Sequence, residues 1–135
     1  MKRFKSVCLA FIFFAGLTSL AHADSVLCHL SYGGETQQVT GLPVDSPYPV
    51  APQPIGNFFL FRVVYQTLPA DLANIKIYTY ADRDEGPWLI HQATFPAHVQ
   101  NAAVNGFTGL NFVYEPLRDG ELQYWCELKS GVNPK

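Results

Sequence analysis

Two stretches near opposite ends of the chain, Val26–Tyr32 and Glu121–Leu128, alternate their side chains, and each carries one cysteine on its more apolar side. In the first, Val26, Cys28, Leu30 and Tyr32 share a face; in the second, Leu122, Tyr124, Cys126 and Leu128 do. Alternation with a period of two marks a strand with one buried face. A bond between Cys28 and Cys126 would therefore belong to a core, join the first strand to the last and turn everything between into one closed loop. In the chain-entropy account, closing a loop of about a hundred residues is worth roughly 4–5 kcal/mol.

The start of the chain says where those cysteines would meet. Lys2, Arg3 and Lys5 precede a mostly apolar run, Val7 to Leu20, and Ala21-His22-Ala23 follows with small residues at its outer places. This is the layout of a secretory signal peptide, with residues 1–23 cleaved before Asp24. The apolar run is about fourteen residues long, short of the roughly 20 that a helix needs to cross a bilayer. No second run of that kind follows, so no membrane span is expected after signal cleavage. Cys8 leaves with the signal, and an exported chain holding only Cys28 and Cys126 enters an oxidising compartment where two cysteines usually pair. Redox pairs usually stand two residues apart and zinc sites need more thiol or imidazole ligands, so the expected bond is structural.

Residues 24–135 form the expected single exported β-domain, large enough for a real core. The signal holds three of the nine Lys and Arg residues and none of the eleven Asp and Glu. Six cations against eleven acids remain, a formal charge of −5 with His neutral. Nucleic acid demands a basic face to neutralise phosphates; this balance speaks against that partner, and equally against electrostatic attachment to anionic lipid.

Along the chain, Gly33-Gly34 reads as a turn into a polar second strand, Glu35–Thr40. Gly41 to Pro54 holds five prolines, which exclude a helix or a central strand and predict an extended, partly polyproline II connection from one sheet to another, with an exposed arm around Tyr48 as the functional alternative. Asn57–Gln66 is apolar on both faces except at Arg62, as a central covered strand would be; Arg62 then needs a partner or a path to solvent. Pro69–Ala73 suggests a helical turn, and Ile75–Tyr80 and Trp88–Phe95 suggest strands around the turn Asp82–Pro87. Ala97, Ala102 and Ala103 allow a short helix ending at Asn105-Gly106. Leu110, Phe112 and Tyr114 lie on one face of the next strand, with Asn111 and Glu115 on the other, and Asp119-Gly120 signals a hairpin into the last. About seven evenly spaced strands predict an all-β fold, an antiparallel sandwich or small barrel with short helical turns, which resembles an immunoglobulin-like layout.

Chemistry is sparse. The acidic turn Asp82-Arg-Asp-Glu-Gly86 has alternate carboxylates that could suit calcium, but its glycine and missing final glutamate do not follow the EF-hand spacing. His29, His91 and His98 lie far apart and form no metal spacing, so no metal or other cofactor is expected. Gly-x-Ser-x-Gly and Gly-rich phosphate loops are absent, and no catalytic residue is assigned. Aromatics carry more meaning: Trp125 stands among polar neighbours on the outer face of the last strand, and Tyr78 and Tyr80 lie opposite Ile75 and Ile77. With Tyr48 they form the candidate binding surface, because Trp and Tyr offer large rigid contact area with a polar handle. The expectation is an exported, periplasmic, non-catalytic β-domain that binds a protein or small ligand. A small hydrolase or metal-dependent enzyme, and a structural envelope component, are the alternatives.

Overall fold

The computed structural model describes residues 23–131; the signal read over residues 1–23 lies, except for Ala23, outside the described residues. Among the described residues, nine strands form two sheets that pack face to face, an all-β sandwich. The first sheet runs β2 (Glu35–Gly41), β1 (Ser25–Tyr32), β9 (Gly120–Lys129), β8 (Asn111–Glu115), every pair antiparallel. The second is built on β5 (Phe59–Gln66), β6 (Asn74–Arg83) and β7 (Gly86–Pro96), also antiparallel. The seven strands expected from alternation are all present; the two additional ones, β3 (Pro43–Val44) and β4 (Gln53–Ile55), are short.

The parity of the alternation holds where the core forms. Val26, Cys28 and Leu30 of β1 and Leu122, Tyr124 and Cys126 of β9 are buried against Phe59, Phe61, Val63, Ile75 and Ile77 of the opposing sheet. Phe61 and Tyr124 meet edge to face across the sandwich with ring centroids 5.2 Å apart, a favoured aromatic geometry. Cys28 and Cys126 stand directly opposite in the β1–β9 ladder and are disulfide-bonded, fully buried. The first strand and the last are thus the two central strands of their sheet.

The proline-rich segment crosses from the first sheet to the second and stays on an edge, as prolines require. It is not extended throughout. β3 pairs parallel with the end of β5 and β4 antiparallel with its start, and between them the Val50 amide donates to the Pro47 carbonyl in a turn. Arg62, the exception on the apolar β5, organises that turn: its guanidinium donates to the carbonyls of Val50 at 2.7 Å and Pro47 at 2.6 Å. The arm satisfies a charge that the outer face of β5 could not leave bare. On the same outer face, Val64, which points away from the core, is only 1% exposed.

The expected helical turn after Pro69 is a 3-10 helix, Ala70–Leu72. The short helix expected around Ala97–Ala103 does not form. That segment instead is a loop of bends and turns seated against the end of β9. The Asn101 side-chain amide donates to the Leu128 carbonyl and its oxygen accepts the Leu128 N–H, both at 2.8 Å. Phe107 N–H donates to the Cys126 carbonyl, and the Thr108 hydroxyl accepts the Cys126 N–H. Pairing with β9 outcompetes a helix that three alanines favour only weakly.

Two glycines of this loop test the packing. Gly106 and Gly109 both have positive φ, 58° and 70°. A Cβ on Gly106 would lie 2.1 Å from the Cys126 carbonyl oxygen, whereas one on Gly109 would meet nothing within 4 Å. Gly109→Ala should cost only the left-handed strain of about 1–2 kcal/mol. Gly106→Ala should cost clearly more, about 3 kcal/mol or above, because the loop must also lift off β9. Denaturant midpoints of the two variants check this; equal losses would show that the loop is not seated on β9.

Candidate functional site

β8 is the strand whose orientation hydrophobicity alone does not explain. Its inward residues are Val113 and Glu115, and Glu115 is 0% exposed. Its outward residues are Phe112, 56% exposed, and Tyr114, 53% exposed, with Leu110 just before them at 45%. The more apolar face of the strand therefore looks into solvent while a carboxylate looks into the molecule.

Two arginine ties produce this. Arg83, at the end of β6, donates to Glu115 Oε1 at 3.0 Å, and that oxygen also accepts the Leu117 N–H at 3.1 Å. Arg118, in the β8–β9 connection, donates to the Asp82 carbonyl at 2.7 Å and lies over the Phe58 ring. Burial of the Glu115 carboxyl pushes its pKa up; the Arg83 and Leu117 hydrogen bonds and the charges of Arg83 and Arg118 outweigh that and hold it below the usual carboxylate value. Once Glu115 faces inward, a period of two sends Tyr114 and Phe112 out.

Beside this edge, the outer face of the first sheet continues through β9 and β1. Phe112 pairs with Gln123 and Tyr114 with Glu121, and Trp125 follows two residues on from Gln123. Trp125 is half-buried because His29, its partner on β1, stacks on the indole with centroids 3.9 Å apart and planes 12° from parallel. The His29 ring nitrogens face the Gln38 side-chain amide at 3.4 Å and the Glu127 carboxylate at 3.4 Å, and Glu127 in turn pairs with Lys129. A shallow depression of about 550 Å³ opens above His29, Ser31, Gln38 and Trp125. Amide and hydroxyl groups around an aromatic stack can recognise a ligand, but no nucleophile of the described residues is in hydrogen-bond contact with the imidazole.

The four aromatics singled out by sequence do not form one surface. Trp125 is on the outer face of the first sheet; Tyr78 and Tyr80 are on the outer face of the second, stacked on each other, with Arg62 over Tyr78. Both tyrosines are half-buried. Tyr48 is 90% exposed at the turn of the proline arm. Phe112 and Tyr114 were missed as site residues because alternation names a face without saying which side is buried. The choice is set by the pairing of Glu115 with Arg83, 32 residues away, which no local pattern announces.

The histidines do not converge. His29 is on the outer face, His98 is exposed, and His91 is half-inserted between the sheets, with Nε2 2.6 Å from the Tyr124 hydroxyl. Among the described residues, no three His, Cys, Asp or Glu side chains form a metal-holding group. Compared with known proteins, the chain matches no family, and no curated protein or solved structure is similar to it. The class that fold and surface define is an all-β sandwich with a central disulfide and an outward aromatic face.

Two outcomes follow from the interior polar groups. Glu115→Gln leaves the Arg83 charge without its counter-charge and should destabilise more than the joint replacement Arg83→Met with Glu115→Leu, as chemical denaturation would show. Burial lowers the His91 pKa below its ordinary 6.5 and pushes the Tyr124 phenol up to about 12. The unfolded chain therefore takes up the His91 proton first, so stability is full above pH 6.5 and drains as pH falls through the lowered folded value. Unfolding free energies measured at neutral and mildly acidic pH should fall less for His91→Gln than for the native chain.

Proposed function

We propose that this is an exported, periplasmic, non-catalytic binding domain, and that it holds a partner protein against the outer face of the first sheet. The observation that carries the reading is the inverted strand β8: Leu110, Phe112 and Tyr114 are exposed together while Glu115 of the same strand is buried. Burial of apolar area drives folding, and each of these side chains fully covered would add about 2 kcal/mol. A chain that leaves three of them out in a row forgoes that stabilisation at the sheet edge, where a partner can cover them. The signal-peptide layout of residues 1–23 supports export, and the buried Cys28–Cys126 bond suits an oxidising compartment.

The test compares faces. Phe112→Thr with Tyr114→Thr should cost no more than about 1 kcal/mol in unfolding free energy, since both side chains are already more than half exposed. Immobilised native protein and a Tyr78→Thr/Tyr80→Thr variant should retain the same envelope protein, and the Phe112/Tyr114 variant should lose it. Equal retention by all three, or no retention by the native chain, would remove the basis for this face as the working surface.

A further inference from the structure

Resting on that reading of the face, we infer that the partner presents a cationic, extended segment that lies along β8 and adds to the edge of the first sheet. The argument is one of charge placement. Each arginine among the described residues is turned onto its own chain: Arg62 onto the Pro47 and Val50 carbonyls, Arg83 onto Glu115, Arg118 onto the Asp82 carbonyl. Lys76 belongs to the outer face of the second sheet, and Lys129 is paired with Glu127 at the far end of β9. No cation of the described residues is left to serve the β8 face.

The carboxylates are arranged the other way. Glu121 is exposed directly across the ladder from Tyr114, on the same outer face. Asp119 is exposed in the hairpin and accepts the Tyr114 hydroxyl at 2.5 Å, so the ring and the acid present together. Asp84 and Glu85 stand exposed in the β6–β7 turn, which the Arg83–Glu115 pair draws to this same end of the sandwich. An aromatic row thus ends in acids that no cation of the described residues answers. Complementary charge of this kind steers encounter and selects partners by sign.

The geometry specifies an extended partner. β8 is the edge strand of its sheet, and Leu110, Phe112 and Tyr114 recur at a strand's period of two. A strand laid on that edge would carry alternate side chains in step with them, main-chain hydrogen bonds giving affinity and alternate side chains giving selectivity. Apolar side chains would cover Phe112 and Tyr114, and lysine or arginine would reach Glu121 and Asp119.

The experiment is an amide-shift NMR titration of the oxidised protein with short blocked peptides that hold threonine at every second position and, between the threonines, two valines followed by lysine, serine or glutamate, so that the valines and the varied residue share one face. The lysine peptide should move the amides of residues 110–115 and 119–121. It should bind at least about tenfold more tightly than the serine peptide and weaken about tenfold between about 20 and 200 mM salt. The glutamate peptide should leave the spectrum unchanged. Asp119→Asn with Glu121→Gln should abolish the preference for lysine over serine at an unchanged melting temperature; asparagine suits the left-handed φ of 53° at position 119. Equal binding of the lysine and serine peptides at residues 110–115 would overturn the cationic partner and leave the binding face standing. Lysine-peptide shifts confined to other surfaces, or no shifts with any peptide, would overturn strand addition; the Phe112/Tyr114 retention test then decides the face by itself.

Discussion

The β1–β9 pairing is the contact on which the rest of the structure depends. Its two strands are the ends of the described chain, and their cysteines are separated by 98 residues. Contacts so distant in sequence are entropically costly to form, and nothing local prepares them. Yet every other strand of that sheet is hung from this pair: β2 from β1 by the Gly33-Gly34 hairpin, and β8 from β9 by the hairpin with Asp119 at positive φ. The loop Asn101–Thr108 leans on β9 as well. A buried disulfide at the centre of this ladder holds the pairing in place and limits the freedom of the unfolded chain to lose it.

With that ladder fixed, the two outer faces of the sandwich meet different fates. On the second sheet, the proline arm folds back over β5, Arg62 ties down its turn, and Tyr78 and Tyr80 pack beside the guanidinium. That face is half-covered along β5 and β6 and open at Leu89 on β7. On the first sheet, Phe112 and Tyr114 stay more than half exposed, and the His29 imidazole stacks on the Trp125 indole. The asymmetry follows from where the prolines are: the long connection runs between β2 and β5 and can reach one face only.

Much of this was legible in the residues, and the boundary of what was legible has a physical cause. Alternation at Val26–Tyr32 and Glu121–Leu128 was enough to place both cysteines in the core, because each strand has one clearly apolar side. The continuous apolar run at Phe59–Tyr65 announced a covered strand in the same way. The β8 orientation was not legible. There both sides are partly apolar, and the choice between them is made by Arg83, 32 residues away from Glu115. The Ala97–Ala103 segment failed similarly: its alanines favour a helix locally, but Asn101 finds a better use for its amide on the backbone of Leu128. Short-range preferences are weak priors, and one well-placed polar contact reverses them.

The ion pair at the base of β8 is therefore best understood as a device of orientation. A buried pair of this sort contributes little net stability, since desolvation of both charges consumes most of their attraction. What Arg83 and Glu115 do supply is register and sign. With Glu115 held inward, a one-residue slip of β8 would bring Tyr114 under Arg83 and put the acid into solvent, so only one alignment satisfies both groups. The same alignment fixes which side chains the edge shows to the outside. Without the Glu115 carboxylate, no ion pair would distinguish this alignment from its one-residue slip. The retained charge instead holds Phe112 and Tyr114 outward, next to the carboxylates of Asp119 and Glu121, in the arrangement that a positively charged strand could complete.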